Sequence, residues 1–335
     1  MEGSPICVTG ASSFIGSWIV LELLQRGYTV RGTVRSLSAG VPAHLASLPD
    51  ASKRLSLFAA NLLEGPSAFA EAVAGCSGVI HCASPFFFES ANPEVELLAP
   101  AVEGTRAVLR ACIAEPSVRK VVLTSSMASC YVRPPAPDYV FTDNDWSDHD
   151  FIRATKQHYA ESKLLAEREA WRIVREEQPE GRGMLLATIL PSQCLGPLMQ
   201  PYLNTSAAAV VEYASGKRTA CVNKSKGFVD VRDVALAHIL ALEGGASPHT
   251  LGRFMLMSGS IPWHYFARCV REELGPVHGA RVPTEVEEGP APYPQAIVSI
   301  KRVWDLGAWG GAGGARIIIE RNLVIIARHA LFMPL

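Results

Sequence analysis

The stretch Ile6-Cys7-Val8-Thr9-Gly10-Ala11-Ser12-Ser13-Phe14-Ile15-Gly16 constrains the fold of this 335-residue chain more than any other. A short apolar run breaks at Gly10, and a helical pattern opens around Phe14 and continues through Ile19, Val20, Leu23 and Leu24. Strand, glycine-bearing turn and helix in that order bring backbone N–H groups and a positive helix end to one point, where a pyrophosphate can sit. Gly10 permits the tight turn, and Gly16 lets the helix lie close to the sheet. Ser13 stands where a middle glycine is expected, and its hydroxyl is able to bond a phosphate oxygen itself.

Strand candidates follow at 6–9, 28–35, 55–59, 78–83, 120–125 and 184–190, with helical patterns at 17–26, 68–74, 103–114 and 157–177. This alternation predicts an α/β fold, a parallel sheet covered by helices on both faces. Runs such as Val121-Val122-Leu123 suit strands buried on both sides. Past Leu190 the pattern changes: Pro191, Gly196, Pro197 and Pro201 mark irregular backbone before a helix at 206–214. Residues 228–242 read as a short strand running into a helix that rejoins the first domain. The expected organisation is a nucleotide-binding domain over 1–190 plus about 225–245, and a smaller lobe over 191–224 and 246–335. A glycine-rich loop (307–314) and a closing amphipathic helix (316–332) are expected at the end.

A formal net charge of −1 predicts no attraction to nucleic acid or to an anionic membrane surface. The longest apolar stretches near the C-terminus are interrupted by Glu320, Arg321 and Asn322, too short and too charged to span a bilayer. The eight cysteines contain no C-x-x-C pair, so buried reduced thiols are expected and no metal site. No charged and apolar leader precedes Ile6, and a cytoplasmic location is the expectation.

Three features carry chemistry. Arg35 lies at the end of the second predicted strand, 19 residues past Gly16, where an acid would hold the ribose hydroxyls of NAD. The stretch Arg31-Gly32-Thr33-Val34-Arg35 has no acid, so Arg35 either faces solvent or pairs with a 2′-phosphate, which favours NADP. Tyr159 and Lys163 share one face of a helix at i and i+4, and a nearby ammonium lowers a phenol pKa. The strand before them ends in Thr124-Ser125-Ser126, which opens into the ligand crevice of an α/β sheet.

Together these stretches resemble the extended short-chain dehydrogenase/reductase family, and more narrowly its dihydroflavonol reductase and cinnamoyl-CoA reductase group with the yeast and fungal aldehyde/ketone reductases. His81-Cys82-Ala83-Ser84-Pro85, Val102-Glu103-Gly104-Thr105 and Phe228-Val229-Asp230-Val231-Arg232-Asp233 support the likeness, which covers residues 4 to about 307 and loosens after 240. The resemblance implies a Rossmann-type doubly wound parallel sheet with a substrate-binding C-terminal lobe, and NADP(H) as cofactor. It implies Tyr159 as proton donor, Lys163 as the residue that binds the nicotinamide ribose, and Ser126 as the carbonyl-orienting hydroxyl, with Ser125 the alternative one register away. It places Gly10, Ser12, Ser13, Phe14, Ile15 and Gly16 at the phosphates, Arg35 at the 2′-phosphate, and Asn61 and Leu62 at the adenine. Ala83, Ser84 and Thr124 would line the cofactor channel, with Pro191 and Cys194 over the nicotinamide.

The chain departs from the group at three places. Ser13 replaces a glycine, and no second basic residue follows Arg35 in Ser36-Leu37-Ser38-Ala39-Gly40. The aromatic and cysteine signature around the tyrosine of cinnamoyl-CoA reductases is missing, since His158 precedes Tyr159 and Ala160 follows it, which argues against a CoA thioester. The expected function is reduction of an aldehyde or ketone bearing a bulky or aromatic group, by a monomer or homodimer. A sterol- or sugar-type dehydrogenase or epimerase, and a non-catalytic NADP-binding redox sensor, are the alternatives. Asp143, Asp145, Asp148 and Asp150 read as a solvated acidic loop, His81 as a buried core residue, His158 as a packing or surface residue. Phe86, Phe87, Phe88, Trp146 and Phe151 are candidate pocket walls or core.

Overall fold

The structure is a computed structural model that describes residues 3–85, 91–134 and 139–289 and the two-residue strand Ile297–Val298. The chain begins with β1 (Ile6–Thr9), α1 (Phe14–Gln25), β2 (Val30–Val34), two single turns α2 (Ala43–Ala46) and α3 (Ala51–Arg54), and β3 (Leu55–Ala59). It continues through α4 (Ser67–Val73), β4 (Gly78–His81), α5 (Ala99–Ala114), β5 (Lys120–Thr124), β6 (Val140–Phe141), α6 (His149–Ala154) and α7 (His158–Glu176). Next come β7 (Leu185–Pro191), β8 (Gln193–Leu195), α8 (Thr205–Ala214), β9 (Ser225–Asp230) and α9 (Val231–Glu243). Last are β10 (Gly252–Leu256), β11 (Gly259–Pro262), α10 (Trp263–Gly279) and β12 (Ile297–Val298).

Seven strands form a parallel sheet in the order β10-β7-β5-β4-β1-β2-β3. Side-chain alternation sorts its core into two layers. Ile6, Val8, Ile80, Val122, Ala187 and Ile189 face α1 and α9, while Cys7, Val79, Val121, Leu123 and Leu186 face α4, α5 and α7. The order reverses beside β1, whose neighbours are β2 and β4, so the crevice opens at the carboxyl ends of β1 and β4. Helix α1 stops where glycine supplies a left-handed residue: Gly27 has φ 84°, its N–H donates to Leu24 O at 2.9 Å and Tyr28 N–H to Leu23 O at 3.0 Å.

Three expectations change. The helix expected from 103 begins at Ala99, after a π-helical turn over Glu94–Leu98, because Pro100 is tolerated in a first turn that needs no donor there. Residues 252–256, expected in the smaller lobe, form β10 and pair with β7 as the edge of the large sheet. Conversely, β9 leaves that sheet for a smaller one with β8 and β11. A third core then joins α8, α10 and β9, where Tyr213 stacks on Trp263 at 5.3 Å and Phe228 on Phe266 at 5.5 Å. The expected glycine-rich loop, the closing helix and Phe86–Phe88 lie outside the described residues. None of the eight cysteines is disulfide-bonded. Among the described residues no helix is long and apolar enough to cross a membrane.

Gly104 on α5 has a packing reason, since a Cβ there would stand 2.7 Å from the Leu62 side chain. Gly104→Val should therefore destabilise the fold by ~1–3 kcal/mol, as overpacked sites do. Urea unfolding of the two proteins checks this; an unchanged midpoint would mean that the Leu62 loop yields freely.

Candidate active site

The turn after β1 is built as a cradle. Gly10 sits at φ 68°, and a Cβ on it would lie 3.0 Å from the backbone of Ala83. A Cβ on Gly16 would lie 2.2 Å from Gly10 O. Ser13, in the middle-glycine place, is the N-cap of α1: its Oγ accepts from Gly16 N–H at 3.1 Å, and its hydroxyl proton is left to donate. The amides of Phe14 and Ile15 belong to the first turn, whose N–H groups have no intrahelical partner, and they sit at the positive end of the helix dipole. The free first-turn amides suit a dinucleotide pyrophosphate, and side chains at 10 and 16 would press on the backbone of Ala83 and Gly10 and distort the turn that presents them. Ser12 lends its carbonyl to the Tyr202 hydroxyl at 3.2 Å, drawing the loop before α8 across the cradle, and Trp18 Nε1 donates to Pro197 O at 2.9 Å.

Beside the cradle, Arg35 is exposed immediately after β2 and lies close enough to Tyr202 to act on its phenol. Arg31 is not available to it. Its guanidinium lies over Phe58 at 4.5 Å and donates to the carbonyls of Glu71 at 2.6 Å and Ala72 at 3.2 Å. Asn61 Oδ1 accepts from Leu63 N–H at 3.2 Å, which shapes the turn, and Leu62 packs against Gly104.

The candidate reacting residues gather at the ends of β4, β5 and β7. Thr9 Oγ1 lies 2.7 Å from His81 Nδ1 and accepts from Ala83 N–H at 3.2 Å, which ties β4 to β1. His81 is buried, and burial followed by the Lys163 charge drops its pKa to about 3, so the ring is neutral. Lys163 Nζ donates to Ser84 Oγ at 3.0 Å. Ser126 Oγ accepts from Ala128 N–H at 3.2 Å and is hydrogen-bonded to Tyr159. Ser125 turns the other way and donates to Glu167 Oε2 at 2.6 Å, so Ser126 is the strand-end serine that faces the tyrosine. The Thr124 hydroxyl is taken up by His238 Nε2 at 2.7 Å and Cys82 Sγ at 3.2 Å. Pro191 ends β7, and the buried Cys194 follows on β8, its thiol pushed up to about 12 by burial.

The expected electrostatics are reversed in one respect. Lys163 does not pull the phenol of Tyr159 down; burial pushes it well above its ordinary value, and the Ser126 hydrogen bond only offsets this in part. Burial lowers the Lys163 ammonium to about 8. Tyr159 is thus a protonated acid at neutral pH.

Glu167 is absent from the residues expected here. It lies four residues past Lys163 on the same face of α7 and is fully buried. The i, i+4, i+8 run Tyr159, Lys163, Glu167 was the available signal. In the acidic stretch before α7, Asp148 and Asp150 are exposed as expected, but Asp143 and Asp145 are not simply solvated. Asp143 is buried and accepts from Met255 N–H at 2.6 Å, Asp145 accepts from Thr142 N–H at 2.8 Å, and Asp148 caps α6. His158 is half-exposed beside Glu161. Trp146 lies under the Arg253 guanidinium at 3.8 Å.

A parallel sheet with its crevice beside β1, a glycine cradle at a helix end, and serine, tyrosine and lysine at the strand ends define a nucleotide-cofactor enzyme of the doubly wound class. Residues 6–252 match the model of the NAD dependent epimerase/dehydratase family, and the chain belongs to that family. It is 44% identical over 273 residues to cinnamoyl-CoA reductase CAD2 of Medicago truncatula, covering 81% of each protein. To a dihydroflavonol 4-reductase of Dianthus caryophyllus it is 35% identical, over 91% of this chain and 82% of the other. Gre2 of Candida albicans in complex with NADPH has a TM-score of 0.80 at 28% identity, covering 98% and 99% of the two chains.

Because a side chain at Gly16 meets backbone rather than a movable group, Gly16→Ala should cost at least about tenfold in dinucleotide affinity while the protein still folds. Titration of intrinsic fluorescence with the cofactor reads this directly, and wild-type affinity in the variant would show that the cradle is not the binding site.

Proposed function

We propose that the protein is an NADPH-dependent reductase of aldehydes or ketones that carry a bulky or aromatic group, with Tyr159 as the proton donor. The observation that carries this reading is the Ser126–Tyr159 hydrogen bond, with Lys163 one turn further along α7 and the glycine cradle beside it. The relatives' names support the reductase class, and the likeness to Gre2 with NADPH supports the cofactor.

NADPH, when bound, supplies the hydride. The chain's own residues do the rest. Ser13 and the first-turn amides of α1 would bind the pyrophosphate, and Arg35 would pair with the 2′-phosphate. Lys163, which donates to Ser84, would bond a ribose hydroxyl. Ser126 and Tyr159 would both donate to the substrate oxygen, and the Tyr159 hydroxyl proton moves to that oxygen as negative charge develops there. A raised phenol pKa suits this role, because the proton stays on Tyr159 until an oxygen more basic than a ground-state carbonyl appears.

The thioester of a cinnamic acid is a second substrate class, favoured by the name of the 44% identical relative and opposed by His158 and Ala160 beside the tyrosine. A panel of aromatic and aliphatic aldehydes, ketones, dihydroflavonols and one cinnamoyl-CoA thioester, followed by NADPH consumption, separates the two. Tyr159→Phe should lower turnover by about 10²–10⁴-fold with NADPH affinity unchanged. Tight NADPH binding with no turnover of any member would overturn the reading in favour of a binding protein.

Arg35→Ala should weaken NADPH binding by about 10–100-fold, the worth of charge-assisted hydrogen bonds, and leave NADH binding as it was. Equal losses for both cofactors would remove Arg35 from the 2′-phosphate.

A further inference from the structure

Glu167 and Arg253 form an ion pair at 2.8 Å whose side chains are 0% and 7% exposed. Burial opposes ionisation of the carboxyl, but Arg253 and the serines around it hold its pKa below the usual range. Its oxygens accept from Ser125 at 2.6 Å, Ser129 at 2.5 Å, Thr188 at 2.8 Å and Arg253 Nε at 2.8 Å. One carboxylate on α7 is thereby bonded to the end of β5, to the turn after it, to β7 and to β10. Arg253 extends the frame: it donates to Asp143 O at 3.0 Å and to Asp145 O, and its guanidinium carbon lies 3.8 Å from the Trp146 ring centroid.

We propose that this buried pair is the positioning element of the reductase site, setting the place and the charge state of Lys163. The inference rests on the reading of Tyr159 and Lys163 as the reacting pair. Two observations carry it. Tyr159, Lys163 and Glu167 occupy successive turns of one helix face, so anchoring the third fixes the height and rotation of the first two. Ser125, which Glu167 binds, is the chain neighbour of Ser126, so the same carboxylate fixes the serine and the helix that must meet at the substrate oxygen.

The charge argument is separate. The titratable groups that act on Lys163 are Cys82 after β4, Cys194 on β8 and Glu167 on α7, and His81 feels the lysine in turn. Burial pushes both thiols up to about 12 and His81 down to about 3, so all three are neutral at pH 7. Glu167 is then the ionised anion of this set, one helical turn from an ammonium that burial has lowered to about 8. Remove its charge, and Lys163 must release its proton at a lower pH.

Competitive acetylation across pH, read by mass spectrometry of the Lys163 peptide, measures that titration without any turnover. Glu167→Gln should lower the Lys163 midpoint by about one unit. Arg253→Lys keeps a cation beside Glu167 and so keeps the carboxylate ionised; it should leave the midpoint in place, whereas a merely structural pair would give the same response to both. With NADPH and a reduced carbonyl from the panel, Glu167→Gln should also move the basic limb of kcat downward and cut kcat about tenfold, with KM for NADPH within about twofold.

Should either variant fail to fold, Ser125→Ala removes one donor without uncovering a charge; it should lower kcat about threefold and leave the Lys163 midpoint in place. NADPH binding serves as the check of folding throughout. A Lys163 midpoint that is unmoved in folded Glu167→Gln, or that falls equally in Arg253→Lys, overturns the proposal. Wild-type kcat in Ser125→Ala also counts against it. A midpoint that moves as stated in a protein that reduces no carbonyl would instead sink the reductase reading and leave the charge coupling standing.

Discussion

A carboxylate with no exposed surface survives in a fold only if every lone pair is matched, and Glu167 meets that condition with hydroxyls from Ser125, Ser129 and Thr188 and the guanidinium of Arg253. Such a pair contributes little net stability compared with an apolar replacement, yet removing one partner alone costs ~3–5 kcal/mol. What it contributes is geometry. The long helix α7 must lie in one register against β5, β7 and β10 for these bonds to form, and Tyr159 and Lys163 lie on the same helical face. Trp146 completes the environment by covering the guanidinium, which is weakly hydrated and tolerates an aromatic face.

The opposite wall of the crevice is held by smaller means. Thr9 joins His81 and Ala83, so the loop after β4 is tied to the turn after β1 at the point where the strand order reverses. Thr124 performs a similar role behind it, bridging Cys82 and the buried His238 on α9. Burial keeps both histidines neutral, with pKa values near about 3 and about 4, so these ties are hydrogen bonds between uncharged groups. The cradle therefore meets the lysine wall across a set of short contacts, with the positive end of α1 and the Arg35 guanidinium on the phosphate side.

Much of the first 190 residues was legible because the signals there are local. Apolar runs of four to seven residues, bounded by glycine or a helical period, gave five strands of the large sheet within a residue or two at most ends and its sixth as 184–190. The seventh, β10, was not legible: a five-residue segment that opens Gly252-Arg253 has no apolar alternation, and its burial depends on a partner far away in the chain. The acidic stretch misled for a related reason. Four aspartates in eight residues look solvated, but Asp143 is buried because it serves the Met255 amide on β10, a contact 112 positions distant. Arg31, four residues before Arg35, is taken up by the carbonyls of Glu71 and Ala72 on α4, which only the packing reveals.

By itself, the sequence determined the class of fold, the glycine turn that suits a phosphate, and the tyrosine and lysine on one helical face, since each depends on spacing within a few residues. Tertiary structure alone decided which strand-end serine faces Tyr159, that Arg31 is held against α4, and that burial rather than Lys163 governs the phenol. Those outcomes depend on which side chains from distant strands share a buried volume, and on the free-energy cost of charge there, which no local pattern records.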